Sequence, residues 1–287
     1  MTFRIQTHGR LQEWVAEEKG YFTREGLEYV FIDNTLLNHP VAHGSDEYRS
    51  GAFETMEVGN ACEVGSACHW AVNAAAAGSH GRMWGHAYSV APAGIYVAAD
   101  SAIRKPADLA GVPIAVGYHS GSHFSALSAL QNVLDDETID LAFGGGPYDR
   151  LQGLLGGDFA AANLFGNPMY VVEQLGYRKV VDTTFMIAFL LEHDAQVDDV
   201  ERYFNALRHA QRDIDNEPWR YKHYYLRELP AEYHDIVDVA GFGMGERIVF
   251  EPYTRELFEQ TQAWMADNDL FDDGALASVD YDTAVLV

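Results

Sequence analysis

Histidines next to predicted strands and helix starts are the side chains of this sequence best suited to chemistry. His119 and His123 stand four residues apart around a Ser-Gly-Ser turn, and an apolar helical pattern begins directly after them. Three further histidines follow or lie within other predicted strands, namely His8, His69 and His86. Because imidazole titrates near neutral pH, each ring is a candidate general acid or base. The structural alternative for each is helix capping or a hydrogen bond to the backbone.

Cysteine and metal chemistry are two alternatives. Cys68 directly precedes His69, and a thiol near a positive charge can become a nucleophile. His119 and His123 have a spacing that can suit a metal, but the segment lacks the glutamate of H-E-x-x-H. Further soft ligands could come from Cys62, Cys68 and His69. Cysteine among small strand residues more often packs as a hydrophobe. The sequence therefore predicts no cofactor, with a metal kept as an open alternative.

Other side chains are candidates for a ligand pocket. Arg10 is the cation nearest the end of the first predicted strand, and its fork geometry suits a carboxylate or a sulfonate. The aromatic rings that can stack on an aromatic ligand are those of Trp70, Tyr88 and Tyr118. The hydroxyls that can cap the helix or donate to a ligand are those of Ser120 and Ser122. Glu13 is expected on a solvated helix face, and Glu63 is expected to make a hydrogen bond at a strand end. Both glutamates fit these structural roles better than the role of a catalytic acid.

The charge balance narrows the range of partners. The chain has 287 residues, 43 acidic and 19 basic, with a formal net charge of −24. Such a surface repels nucleic acid and anionic membranes, so the predicted partner is a small anionic or aromatic ligand, and a homodimer stays open. The sequence has neither a signal-like start nor an apolar run of ~18 residues, which predicts no membrane insertion and a cytoplasmic location.

Strands and helices alternate along the chain, which predicts an α/β fold with helix-covered sheets of parallel type. Predicted strands include "FRIQT", "LEYVFI" and "TFMIAFLLE", and "MWGHAYSV" followed by "GIYVAA" forms a crossing segment. From Val197 onward the pattern is helical. Two crossing segments predict two lobes with a ligand cleft between them. Lobe one takes residues 1–90 and 188–287, and lobe two takes residues 91–187.

Five segments resemble the type II periplasmic-binding-protein-like family. They are "GYFTREGLEYVFI", "EVGSA", "IRKPADLAGVPIAVG", "LLGGDFAAANLFGNP" and "LGYRKVVDT". The pattern is most similar to the nitrate/sulfonate/taurine-binding group and its relatives in thiamine-pyrimidine synthesis. This resemblance implies the two-lobed type II fold with an interlobe ligand cleft. The cysteine-rich iron motif of the thiamine-pyrimidine enzymes is absent, and His8 stands in the loop where sulfinate desulfinases carry a reactive cysteine.

The resemblance also implies where the candidate residues lie. The helix after the Ser-Gly-Ser turn should begin at the cleft, where its free N–H groups and its dipole favour an anion. The segments around His8, His69 and His86 should line the same cleft. Asn167, in "FGNP", is implied as a ligand contact from lobe two.

Two classes of function follow. The first is a cytoplasmic lyase-type enzyme, like a decarboxylase, desulfinase or dehydratase, that acts on a small aromatic or heterocyclic anion. Arg10 and the helix start would hold the anion, and His8 or His69 would move a proton. The second is a non-catalytic substrate-binding component of an ABC importer for a nitrate-, sulfonate- or taurine-like ligand, or a thiamine-pyrimidine protein.

Overall fold

A computed structural model describes residues 2–32, 62–270 and 280–287. The first part of the chain forms β1 (Phe3–Gln6), α1 (Leu11–Glu18), α2 (Tyr21–Arg24), β2 (Tyr29–Ile32), β3 (Val64–Cys68), α3 (His69–Ala77), β4 (Arg82–Trp84) and β5 (Tyr88–Ala91). The middle part forms β6 (Ala93–Val97), β7 (Ile114–Val116), α4 (Gly121–Leu130), β8 (Leu141–Phe143), α5 (Pro147–Gly156), β9 (Ala161–Phe165), α6 (Gly166–Gln174) and β10 (Arg178–Asp182). The last part forms β11 (Phe185–Leu191), α7 (Val197–Asn216), α8 (Pro218–Tyr221), β12 (Arg247–Val249), α9 (Arg255–Asp267), α10 (Tyr281–Ala284) and β13 (Val285–Leu286).

These strands form two sheets, one in each lobe. The first has the order β12-β5-β11-β3-β1-β2, with β4 paired to β11 and β13. The second has the order β10-β6-β9-β7-β8. All seven residues of β11 pair within the first sheet, including 185–187, which the crossing segments predict for lobe two. Its run "FMIAFLL" is almost wholly buried, as expected for a strand with neighbours on both sides.

The predicted strand "MWGHAYSV" is interrupted in the structure. It forms β4 and β5, with a break at residues 85–87. Gly85 lies against β13, and its N–H donates to the Leu286 carbonyl at 2.8 Å. A Cβ at this position would lie 2.6 Å from Val287, so the close approach requires glycine.

The helices cover both sheets, and the largest apolar core spans the lobe boundary. Helix α7 buries Val200, Phe204 and Leu207, a spacing of four and three residues that gives it one apolar face. The same core contains Phe3 of lobe one and Leu164 of lobe two. The lobes therefore share buried apolar contacts and are not separated by solvent throughout.

A segment of short 3-10 turns, residues 222–246, joins α8 to β12 and is called here the strap. It leaves lobe one, runs over helices of lobe two and returns to the first sheet. The Tyr148 hydroxyl of lobe two donates to the Glu228 carbonyl at 2.8 Å, and the Tyr170 hydroxyl accepts from the Gly245 N–H at 2.8 Å. The strap is thus a further link between the lobes.

Candidate functional site

The ends of several strands meet at one edge of the first sheet. β1 and β3 are parallel neighbours, and Cys68 of β3 and Ser89 of β5 both pair with Ile187. β12 runs antiparallel to β5, so Glu246, the last residue of the strap, lies at this same edge. His8 follows β1 by two residues. The topology therefore brings His8, Ser89 and Glu246 together from distant parts of the chain.

His8, Glu246 and Ser89 form a hydrogen-bonded chain. His8 Nδ1 lies 2.9 Å from Glu246 Oε2, and the Ser89 hydroxyl donates to Glu246 Oε1. Burial alone would raise the pKa of Glu246, but Arg10 and His8 outweigh it and hold that pKa at about 2. Because an ionised carboxylate only accepts, Nδ1 carries the ring proton. Nε2 has no hydrogen-bond partner among the described residues and is available to a bound molecule.

Arg10 lies beneath this chain with its side chain wholly buried. Its Nη2 is 3.2 Å from Glu246 Oε1, its Nε is 3.7 Å from Glu13 Oε1, and its guanidinium stacks on Phe189 at 4.6 Å. Glu13 also accepts from the Tyr203 hydroxyl at 3.0 Å and from the His8 N–H at 3.1 Å. Glu13 is therefore not on a solvated helix face as the sequence predicted. The positive charge of Arg10 is already matched by two carboxylates.

A third carboxyl group, that of Glu228 on the strap, adjoins the same loop. A Cβ built on Gly9 would lie only 2.3 Å from Glu228 Oε2, so the carboxylate takes the space that a side chain would need. Burial, together with the charges of Glu13 and Glu246, raises the pKa of Glu228 to about 7. Glu228 and Glu246 thus have pKa values on opposite sides of the usual range, a pattern typical of acid–base sites.

The loop before α4 holds the histidine pair that the sequence singled out. The His119 N–H donates to His123 Nδ1 at 3.0 Å, so His123 is a neutral ring with its proton on Nε2. Burial and the neighbouring His119 lower the pKa of His123 to about 4, and burial lowers the pKa of His119. His119 is half-buried and has a φ of +52°, uncommon for a residue other than glycine.

The two serines of this loop are engaged within it. Ser120 Oγ donates to the Gly117 carbonyl and lies 2.9 Å from Ser122 Oγ, and Ser122 Oγ accepts from the Gly117 N–H at 3.0 Å. Neither hydroxyl caps α4. The predicted capping role is therefore wrong, because the serines stabilise the turn instead of the helix end.

The start of α4 contacts the start of α3 across the lobes. A Cβ on Gly121 would lie 2.7 Å from Phe185 and 3.2 Å from the Cβ of Cys68. Trp70 packs 5.8 Å from Phe124. The loop that carries His119 thus faces the ends of β3 and β11, at the boundary between the lobes.

Cys68 and His69 lie at this boundary but are fully buried. Burial raises the pKa of the Cys68 thiol to about 12, so the thiol is neutral at pH 7. Burial lowers the pKa of His69 to about 4, and its Nδ1 donates to the Met186 carbonyl at 3.0 Å. Their catalytic roles remain predictions. At pH 7 the Cys68 thiol is not ionised, as a nucleophile requires, and the His69 ring is not protonated, as a cationic acid requires.

The other predicted residues are more scattered. Asn167 donates from its amide to the Tyr225 carbonyl of the strap at 3.2 Å, and the Tyr118 hydroxyl donates to the Leu141 carbonyl at 3.2 Å. Tyr88 is half-buried, and His86 is exposed beside Trp84. Outside the site, Glu63 is the predicted strand-end hydrogen-bonder and pairs with Arg4 at 2.8 Å. The site predictions for Asn167, Tyr118, Tyr88 and His86 are not tested by these contacts.

Buried Arg150 organises lobe two in a way that the sequence did not indicate. Its Nε donates to the Asn163 carbonyl at 3.0 Å and its Nη1 to the Gly145 carbonyl at 2.8 Å. Gly117 approaches the same guanidinium, since a Cβ there would lie 3.0 Å from Nη1. One side chain therefore joins the loops that follow β7 and β8 to strand β9.

Neither a metal centre nor a membrane span is found in the part of the chain that the structure describes. Among residues 2–32, 62–270 and 280–287, no three His, Cys, Asp or Glu side chains are placed to hold a metal ion. No helix in these ranges combines the length and apolarity needed to cross a bilayer.

Comparison with known proteins shows the fold. No protein-family model and no curated protein matches the sequence. The alkanesulfonate-binding protein SsuA from Xanthomonas axonopodis pv. citri, bound to MOPS, aligns with a TM-score of 0.66 and 18% identity over 99% of this chain and 98% of that chain. The desulfurization enzyme DSZB aligns with a TM-score of 0.63 and 15% identity over 99% and 96%. The Candida albicans CA3427 product, described as having the generic periplasmic binding protein fold, aligns with a TM-score of 0.66 and 12% identity over 100% and 96%.

These likenesses confirm the predicted fold class. The chain has the two-lobed α/β fold of type II periplasmic binding proteins, a fold that accommodates solute-binding proteins and at least one enzyme. Fold alone does not assign a reaction, so the function must be argued from the site.

Proposed function

We propose that this protein is an enzyme of the solute-binding fold that transfers a proton to or from a small molecule held between its lobes. The observation that carries the proposal is the chain of Ser89, Glu246 and His8, which fixes the imidazole and presents Nε2. A carboxylate that accepts from Nδ1 orients the ring and stabilises its protonated form.

The reaction class that fits is a lyase reaction on an aromatic or heterocyclic acid. In such a step, protonated His8 delivers its Nε2 proton to the ring carbon that bears the carboxylate or sulfinate group. The C–C or C–S bond then breaks with its electron pair left on the ring carbon, so that the group departs as CO2 or SO2. Glu246 then holds the neutral ring in the same tautomer, with the proton on Nδ1. The fold neighbour DSZB, solved with biphenyl-2-sulfinic acid, supports this choice.

We place the leaving anionic group of the substrate near the start of α4 and not at Arg10. The guanidinium of Arg10 is buried and matched by Glu13 and Glu246. The N–H groups at the start of α4 and the Nε2–H of His123 are donors at the lobe boundary that can bind this group. This assignment keeps the predicted anionic ligand but changes the residues that bind its charge.

The test is a turnover assay with a matched histidine control. Purified protein is incubated with a panel of aromatic carboxylates and sulfinates, and products are followed by mass spectrometry. We expect His8→Gln to lower turnover about 10²- to 10⁴-fold. His223→Gln, a change at an exposed histidine of the strap, should leave turnover intact. Full activity of a folded His8→Gln protein would contradict the proposal.

A non-catalytic solute receptor is the second candidate, favoured by the sulfonate-binding neighbours. It predicts saturable binding of sulfonates with no product from any member of the panel. The two candidates also differ in location, since we propose a cytoplasmic enzyme. Recovery of the native protein mainly outside the cytoplasm would favour the receptor.

A further inference from the structure

We propose that Tyr170 of lobe two is a positioning residue for the His8–Glu246 pair of lobe one and acts on that pair through the backbone of Gly245. The inference rests on the proposed function, because it concerns the same histidine and carboxylate. Its test is read from the His8 ring itself and does not depend on turnover.

The backbone directly before Glu246 lies against two tyrosine rings. A Cβ on Gly243 would lie 2.6 Å from the Tyr170 ring, and a Cβ on Gly245 would lie 2.6 Å from the Tyr225 hydroxyl. The Gly245 N–H donates to the Tyr170 hydroxyl at 2.8 Å, and the Tyr225 hydroxyl donates to the Gly243 carbonyl at 3.2 Å. These contacts fix the path of the chain up to the residue that precedes Glu246.

Tyr170 is itself fixed within lobe two. It lies on α6, which packs on strands β6 and β9 of the second sheet. Its side chain is buried, with ring centroids 5.2 Å from Phe242 and 6.0 Å from Tyr225. Because a closely packed ring cannot move independently of its neighbours, the hydroxyl follows the position of α6. The bond to Gly245 therefore transmits the position of lobe two to the strap.

The backbone from Glu246 onward is held by two buried glutamines of lobe one. The Gln12 amide donates to the Glu246 carbonyl at 2.8 Å and to Gln211 Oε1 at 2.8 Å. Gln211 Oε1 also accepts from the Ile248 N–H at 3.1 Å. Glu246 thus lies where a part of the strap fixed by lobe two meets a strand fixed by lobe one.

The position of this backbone decides how well the Glu246 carboxylate meets His8. Each carboxylate oxygen has its own partner, since Oε2 faces His8 Nδ1 at 2.9 Å and Oε1 accepts from the Ser89 hydroxyl. Hydrogen bonds weaken steeply as their distance and angle depart from the optimum. When the Gly245 anchor is lost, the bond to Nδ1 weakens, and the tautomer of His8 with its proton on Nε2 becomes more populated.

The test measures the two neutral tautomers of His8 by 15N NMR in the full chain with labelled histidine. Spectra are recorded at pH of about 8, above the range in which free imidazole titrates, and the His8 signals are assigned by their loss in His8→Gln. We expect Tyr170→Phe to lower the ratio of the Nδ1–H to the Nε2–H tautomer about 2- to 10-fold, the equivalent of one hydrogen bond. Tyr224→Phe is the matched control and should leave the ratio unchanged, because that hydroxyl of the strap donates to Glu18 of lobe one at 2.8 Å.

A second variant, Tyr225→Phe, keeps the test decisive if Tyr170→Phe fails to fold by circular dichroism. It removes the donor to the Gly243 carbonyl and should shift the tautomer ratio in the same direction. An unchanged ratio in the folded variants, or an equal fall in Tyr224→Phe, would overturn the proposal. The expected fall in ratio, in a protein that turns over no member of the substrate panel, would contradict the enzyme proposal alone.

Discussion

Glu246 is the residue on which the charge balance of the site depends most. It accepts from His8 and Ser89 and is ion-paired with a wholly buried Arg10. Its pKa of about 2 lies below the ordinary value of 4.5, so its contribution to stability is present above pH 4.5 and is lost as pH falls through 2.

We therefore expect Glu246→Gln to lower the free energy of unfolding by about 3–5 kcal/mol at pH 7, because it leaves a buried guanidinium with one carboxylate instead of two. Urea unfolding at pH 7 measures the loss. Asp215→Asn, which removes the exposed partner of Arg247, should cost no more than about 1 kcal/mol. Equal costs for the two variants would contradict the importance of burial.

Glu228 should produce the opposite pH dependence. Its pKa is raised from 4.5 to about 7, so the stability that its protonated form provides is complete below pH 4.5 and is lost as pH rises through 7. Relative to wild type, Glu228→Gln should gain about 2–3 kcal/mol in unfolding free energy between pH 5 and pH 8. Denaturant unfolding at the two pH values tests this, and a pH-independent difference would rule out the shifted carboxyl.

At the scale of elements, the contact between α4 and α3 depends on the absence of a side chain at Gly121. A methyl group there would overlap Phe185 and press on Cys68. We expect Gly121→Ala to cost about 1–3 kcal/mol and to separate the lobes. Thermal unfolding and small-angle scattering measure the two effects.

Gly156→Ala is the matched control for this change. Gly156 also lies in a helix, but a Cβ there meets only Asp158, at 3.7 Å. This variant should be neutral or slightly more stable, because alanine favours helix. A larger radius of gyration in Gly156→Ala than in Gly121→Ala would show that the lobe contact is not responsible.

Elements with a strong apolar pattern could be predicted from sequence, and the site could be predicted only in part. The run "FMIAFLL" and the alternation of strands and helices indicated the sheets, and the end of β1 indicated His8. Glu246 is 238 residues from His8 and lies in the irregular strap, where no periodicity marks its position. Glu13 was misassigned because the covering helix α7 and its Tyr203 are remote in sequence.

At the scale of the whole molecule, the net charge of −24 opposes compaction. Like charges on the surface repel each other, and added salt screens that repulsion. We expect the midpoint of thermal unfolding to rise by a few degrees as NaCl is increased from about 0.02 M to about 0.5 M. Equal osmolality supplied by a neutral solute is the control, and a midpoint that falls with salt would show that specific ion pairs dominate.

The pairing of β6 with β10 has a consequence for protein engineering. Gly94 is opposite Asp182, and the Thr183 N–H donates to the Ala93 carbonyl at 3.1 Å, so the segment that forms the second sheet starts and finishes at the same place. A gene fragment encoding residues 93–182 is therefore a natural cassette. Another small domain with equally close termini could be joined at this place. Such a chimaera would keep the His8–Glu246 pair, would lose the Arg150 loops, and would need apolar side chains in place of those, such as Leu164, that lobe two contributes to the shared core.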